Sequence, residues 1–175
     1  MRHLPTAIAL SVAASFAAAE ALGAQDVRDD VTETIDAFVE ADEGMEEWFE
    51  TAHAYAVLPN VGKGGFIVGA AHGTGQVFEG GDLIGELEMA LVSVGLQIGG
   101  QSYSEVIFFQ NEGALQRLID GNLEFSSAVS AVIVTSGVAA SANYSNGLAV
   151  FTRPKGGAMA EASLAGQKFE FTPYP

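Results

Sequence analysis

Near the start of the chain apolar residues recur at three- and four-residue steps; beyond Thr51 they fall into short runs punctuated by glycine. Val27, Val31, Ile35, Phe38 and Val39 mark one face of a helix, and Met45, Trp48, Phe49 and Ala52 resume that stripe after Gly44. Two helices with a break near Asp42-Glu43-Gly44 are predicted. Ala54 to Leu58 reads as a strand ended by Pro59, and Pro59-Asn60-Val61-Gly62-Lys63-Gly64 as a turn. Gly65 to Ala71 is the next strand, followed by a Gly73-Thr74-Gly75 turn, a short strand from Gln76 to Glu79 and a Gly80-Gly81 turn. Leu91, Val92, Val94, Leu96 and Ile98 mark a long strand, and Tyr103 to Gln110 another. One helix interrupts the series: Asn111 caps it, Leu115, Leu118 and Ile119 form its inner face, and Gly121 ends it. β-rich segments are expected near Leu123–Thr135, Val138–Tyr144, Leu148–Thr152 and Ala158–Phe171, with Asn146-Gly147 as a hairpin signal.

Strands joined by short turns with one helical insert imply an α+β fold. Gly69, Gly95 and Gly99 within strands permit strong bending. The expected architecture is a curved, mostly antiparallel β-sheet approaching a barrel, covered by the N-terminal amphipathic helices and the inserted helix.

The first residues add an address. Arg2 and His3 precede an Ala-rich apolar stretch from Leu4 to Ala19, and small residues surround a cut after Ala24. Residues 1–24 are therefore expected to be a cleavable signal peptide, with delivery to the periplasm, peripheral to the outer membrane in one version. Residues 25–175 then form a single domain: 25–53 acidic amphipathic helices, 54–175 a β-rich body.

Composition narrows the partners. Hydrophobic residues make up 49% and charged residues 17%, enough for a packed core. The formal charge of −15 argues against nucleic acid and against broad adhesion to anionic membrane. Bound lipid would need a local basic patch or an apolar surface. The absence of Cys excludes disulfides, thiol nucleophiles and a lipoprotein anchor.

Candidate chemistry is sparse. His53 and His72 lack ligand spacing, so no metal site and no cofactor are expected. Gly62-Lys63-Gly64-Gly65 is no Walker loop, and no GxSxG elbow appears. No catalytic residue is assigned, and the chain is expected not to be an enzyme. Lys63 with the backbone of Gly64 and Gly65 could cradle an anionic head group. Arg153 and Lys155 place two charges on one turn, to be read as a head-group site or as ordinary solvated charge. Ile35 and Phe38 lie on the stripe of the first helix, which either docks on the core or inserts into lipid.

The segments after Thr51, read in order, resemble the SYLF domain. The matching residues are Ala56-Val57-Leu58-Pro59-Asn60-Val61-Gly62-Lys63-Gly64-Gly65-Phe66 with Gly69, Gly73 and Gly75, and Val94-Gly95-Leu96-Gln97-Ile98-Gly99-Gly100-Gln101. Ser104 to Phe109 leading into Asn111 and Ala114-Leu115, and Tyr144-Ser145-Asn146-Gly147-Leu148-Ala149-Val150-Phe151, complete the likeness. Asp82-Leu83-Ile84-Gly85-Glu86-Leu87-Glu88 departs from it, lacking the family's Trp and Pro. The resemblance implies a lipid-binding module whose partner is a phospholipid or membrane surface, with Lys63 at the family's lysine. Phosphoinositide selectivity does not transfer to so acidic an N-terminus, and actin is not expected to meet an exported protein. The competing expectation is an envelope protein-interaction module whose acidic helices recruit a basic partner.

Overall fold

A computed structural model describes residues 27–65, 68–94, 101–125, 129–156 and 166–175. The expected signal segment, and the expected strand positions at 95–98 and 158–165, lie outside the described residues. Helix α1 spans 27–41 and α2 Met45–Thr51, separated by the predicted break at Asp42–Gly44. Seven strands follow among the described residues: β1 Ala54–Gly65, β2 Val68–Glu79, β3 Asp82–Val94, β4 Gln101–Phe109, β5 Ala131–Ile133, β6 Leu148–Gly156 and β7 Gln167–Pro173. Helix α3, Glu112–Ile119, enters between β4 and β5, capped by the Asn111 side chain accepting from the Ala114 N–H at 3.0 Å.

The strands form one sheet in the order β5-β6-β4-β1-β2-β3-β7, antiparallel except for β5 against β6. Two predicted turns are strand instead. Pro59 to Gly64 continues β1, with the irregularity confined to a register shift between Val57 and Asn60. Pro59, which has no N–H to give to a ladder, falls at that shift, so the strand bends without ending. Gly73-Thr74-Gly75 lies inside β2. A Cβ on Gly75 would overlap the Val57 carbonyl oxygen, so this glycine admits the bulged neighbour rather than turning the chain. Val138–Tyr144 is not a strand either; it holds a 3-10 turn at Ala139–Ser141.

Both faces of the central strands are buried. Val106, Ile107, Phe108 and Phe109 are all fully inaccessible, which explains why β4 reads as a continuous apolar run rather than an alternation. The outer face, with Val57, Val106, Phe108 and Phe151, packs under α1 and α2 through Val31, Phe38 and Met45. The inner face gathers Leu58, Leu87, Met89, Ile107 and Val150 around Ala114, Leu115 and Leu118 of α3. Ile119, expected on the inner face of α3, is instead 40% exposed.

The sheet curls strongly. Gln167 on β7 donates from Nε2 to Oε2 of Glu105 on β4 at 3.1 Å. Four strand spacings separate β4 from β7 in the ladder, roughly 19 Å in a flat sheet. Among the described residues the ladder nevertheless stays open, beginning at β5 and ending at β7, so the expected approach to a barrel stops short of closure. Side chains reach across the curl instead: Glu105 of β4 to Gln167 of β7, and Phe125, beyond α3, against Phe169 of β7 with ring centroids 5.6 Å apart.

The bulge in β1 leads to a pairwise test. Gly75→Ala should lower the urea midpoint by about 1–3 kcal/mol of stability through overpacking. Gly62→Ala, with open space around its Cβ, should leave it unchanged or slightly raised. Equal midpoints for the two variants would contradict the close approach of β1 to β2.

Candidate functional site

Three strand ends meet at one margin of the sheet. Lys63 on β1 is opposite Gln101 on β4, and β4 in turn pairs Ser102 with Gly156 and Tyr103 with Pro154 of β6. Lys63 and the Arg153–Gly156 stretch therefore flank the same strand, with backbones roughly 10 Å apart by strand spacing. Gly64 and Gly65 stand opposite Ala70 and Gly69 of β2. Their backbone belongs to a hairpin ladder, not to the open turn that a head-group cradle required.

Arg153 and Lys155 also occupy strand rather than a turn. Alternation along β6 places both on the outer side with Phe151. Arg153 is half-buried and Lys155 exposed. Lys155 donates from Nζ to Oδ1 of Asn60 at 2.8 Å, and Asn60 donates from Nδ2 to Oδ2 of Asp30 at 3.2 Å. A polar chain thus ties the end of β6, across β4, to the first turn of α1. The structure brings Lys63, Arg153 and Lys155 to one margin, and it keeps Ile35 and Phe38 apart from them.

Phe38 is fully buried on the sheet's outer face, and Ile35 is half-buried beside it. Packing is their role in this conformation; contact between Phe38 and lipid would require α1 to lift away. The break between the helices is pinned by Asp42, whose carboxylate accepts from the Ala139 N–H at 2.7 Å and the Gly44 N–H at 3.1 Å. The Ala139 N–H holds this carboxyl below its usual range, outweighing the opposite effect of burial. Trp48 packs over the same junction, edge-on to Phe151 at 5.1 Å and tilted against Tyr144 at 4.8 Å between ring centroids, with its Nε1 donating to the Ala139 carbonyl. Between α1 and α2 runs a shallow groove of about 490 Å³, floored by Ile35, Val39 and Phe49 and rimmed by Asp36, Glu40, Glu46 and Glu50.

The sequence reading passed over the interior of the sheet. Glu105 has no exposed surface, and Thr152 opposite it and Gln167 across the curl are buried with it. Burial pushes the Glu105 carboxyl up to about 7, against the opposing effect of the Gln167 hydrogen bond. Burial, reinforced by the Glu105 charge, also pushes the Tyr103 hydroxyl up. A lone acid inside the apolar run from Tyr103 to Phe109 was the available signal. Among the described residues, no group of three or more His, Asp or Glu is placed to hold a metal ion, and no helix is long and apolar enough to cross a membrane.

An α+β domain built on an open, curled sheet, with a basic margin and an acidic helical layer, is the class these features define. Residues 90–172 match the family model Ysc84, described as Las17-binding protein actin regulator, in agreement with the resemblance to the SYLF domain. The match runs from the end of β3 through β7, taking in Arg153 and Lys155 and stopping short of Lys63. No curated protein matches the chain.

The Asp42 anchor has a measurable consequence. Its folded carboxyl lies below the ordinary 3.8, so its stabilising effect is present above that pH and is lost as pH falls through the lowered value. Asp42→Ala should lower the urea midpoint at pH 7 and shift the emission of Trp48, the single tryptophan. A variant with wild-type midpoint and spectrum would show that the helical layer does not depend on this contact.

Proposed function

We propose that this protein is an exported lipid-binding domain that associates with envelope membrane lipids and catalyses no reaction. The observation that carries the reading is the placement of Lys63, Arg153 and Lys155 at one margin of a SYLF-like domain. A chain of net charge −15 approaches an anionic surface only through such a local concentration of cations. The N-terminal signal pattern in residues 1–24 supports delivery to the periplasm. The family description names Las17 and actin; the export reading separates this protein from both. The absence of a recognisable nucleophile with its base in the sequence supports a binding role.

A second reading, an envelope protein-interaction module, is favoured by the groove between α1 and α2. Its apolar floor and four rim carboxylates suit a basic amphipathic segment of a protein partner.

The mature protein from residue 25 should co-sediment at low salt with vesicles of phosphatidylethanolamine and phosphatidylglycerol, and lose most of that binding in the Lys63→Glu or Arg153→Glu/Lys155→Glu variants. Phe38→Ser should act differently, lowering thermal stability by burying a hydroxyl among apolar groups. No sedimentation with either vesicle lipid at low salt would remove the lipid reading. Salt-sensitive capture of a basic peptide, abolished by Glu46→Lys/Glu50→Lys, would support the groove instead.

A further inference from the structure

Glu105 sits where the curled sheet comes back upon itself. It belongs to β4, yet its hydrogen bond goes to Gln167, the first residue of β7, at the far end of the ladder. The elements packed around it present Thr152 from β6, Leu58 and Val61 from β1, Leu91 from β3 and Tyr103 on its own strand. Tyr103 is the titratable neighbour; burial and the Glu105 charge push its hydroxyl up, so it stays neutral where Glu105 titrates and brings no cation to the carboxylate.

The unpaired atoms complete the picture. Oε2 of Glu105 is taken by the Gln167 amide, whereas Oε1 of Glu105, Oε1 of Gln167 and the Thr152 hydroxyl opposite are buried without partners among the described residues. Two acceptors cannot satisfy each other. A proton on Oε1 of Glu105 gives that oxygen a donor of its own and removes the buried charge, while Oε2 keeps its bond from Gln167. An ionised Glu105 leaves one charge and one carbonyl buried, a cost that hydration of the seam relieves.

We propose that Glu105 is a proton-operated latch: protonated, it clasps Gln167 and holds β7 against β4; ionised, it releases β7 and opens the seam of the curled sheet. The latch is independent of the lipid reading, since it concerns how the sheet is held and not what its margin touches. Its operating range follows from the cause already given, burial raising the carboxyl from 4.5 to about 7. The folded state then binds more protons than the unfolded state between those values. Stability from the latch is complete below 4.5 and is lost as pH rises through 7.

The test uses the mature protein. Carboxyl 13C NMR should show Glu105 titrating near 7, and a midpoint at the ordinary 4.5 would overturn the proposal. Hydrogen exchange, corrected for its intrinsic pH dependence, should show β7 amides losing about tenfold protection between pH 6 and pH 8.5. The β1–β2 ladder should keep its protection. Glu105→Gln, which cannot ionise, should abolish the difference. The same loss in that variant, or an equal loss in every strand, would reduce Glu105 to a group without a latch function.

Discussion

Burying both faces of a single sheet is the constraint on which the molecule depends. Helices α1 and α2 cover the outer face through Phe38, Met45 and Trp48, while the inner face covers itself by curling around α3. Each solution demands something of β1. As a central strand it must pair with β2 and β4 at once, and it absorbs the bend at Pro59 by shifting register instead of breaking. The glycines of β2 follow from that shift, since a side chain at Gly75 would meet the bulged backbone. Curling, in turn, brings β7 close enough to β4 for Gln167 to reach Glu105.

Charge is distributed unevenly over this frame. The carboxylates of α1 and α2 crowd the helical layer, whereas Lys63, Arg153 and Lys155 lie at the margin where β1, β4 and β6 end. The chain from Lys155 through Asn60 to Asp30 connects the two regions. The margin that gathers these three cations is thus held beside the first turn of the acidic helix α1.

Elements with strong local signals were legible in the sequence. The 3.6-residue stripes, the break at Gly44 and the Asn111 cap all stand where periodicity and capping chemistry put them, and the SYLF likeness agrees with the family match over residues 90–172. Asn146-Gly147 forms its turn, both residues having positive φ. What escaped were features decided by tertiary contact. Local composition makes Pro59–Gly64 and Gly73–Gly75 look like turns, and only pairing on both sides keeps them extended. The destination of the Phe38 stripe was undecidable from its pattern, because the same amphipathic face serves a core or a bilayer. Glu105 was hidden for a different reason: its partner lies 62 residues away, and proximity across a curl leaves no mark on local spacing.

That same long reach bears on how the chain comes into being. The carboxylate of Asp42 and the indole of Trp48 find their backbone partner at Ala139, 97 and 91 residues further on. The helical layer made first therefore has no seat until most of the polypeptide has been synthesised. Contacts of such high order form slowly. A nascent chain arranged this way cannot seat the junction between its first two helices until Ala139 has been made.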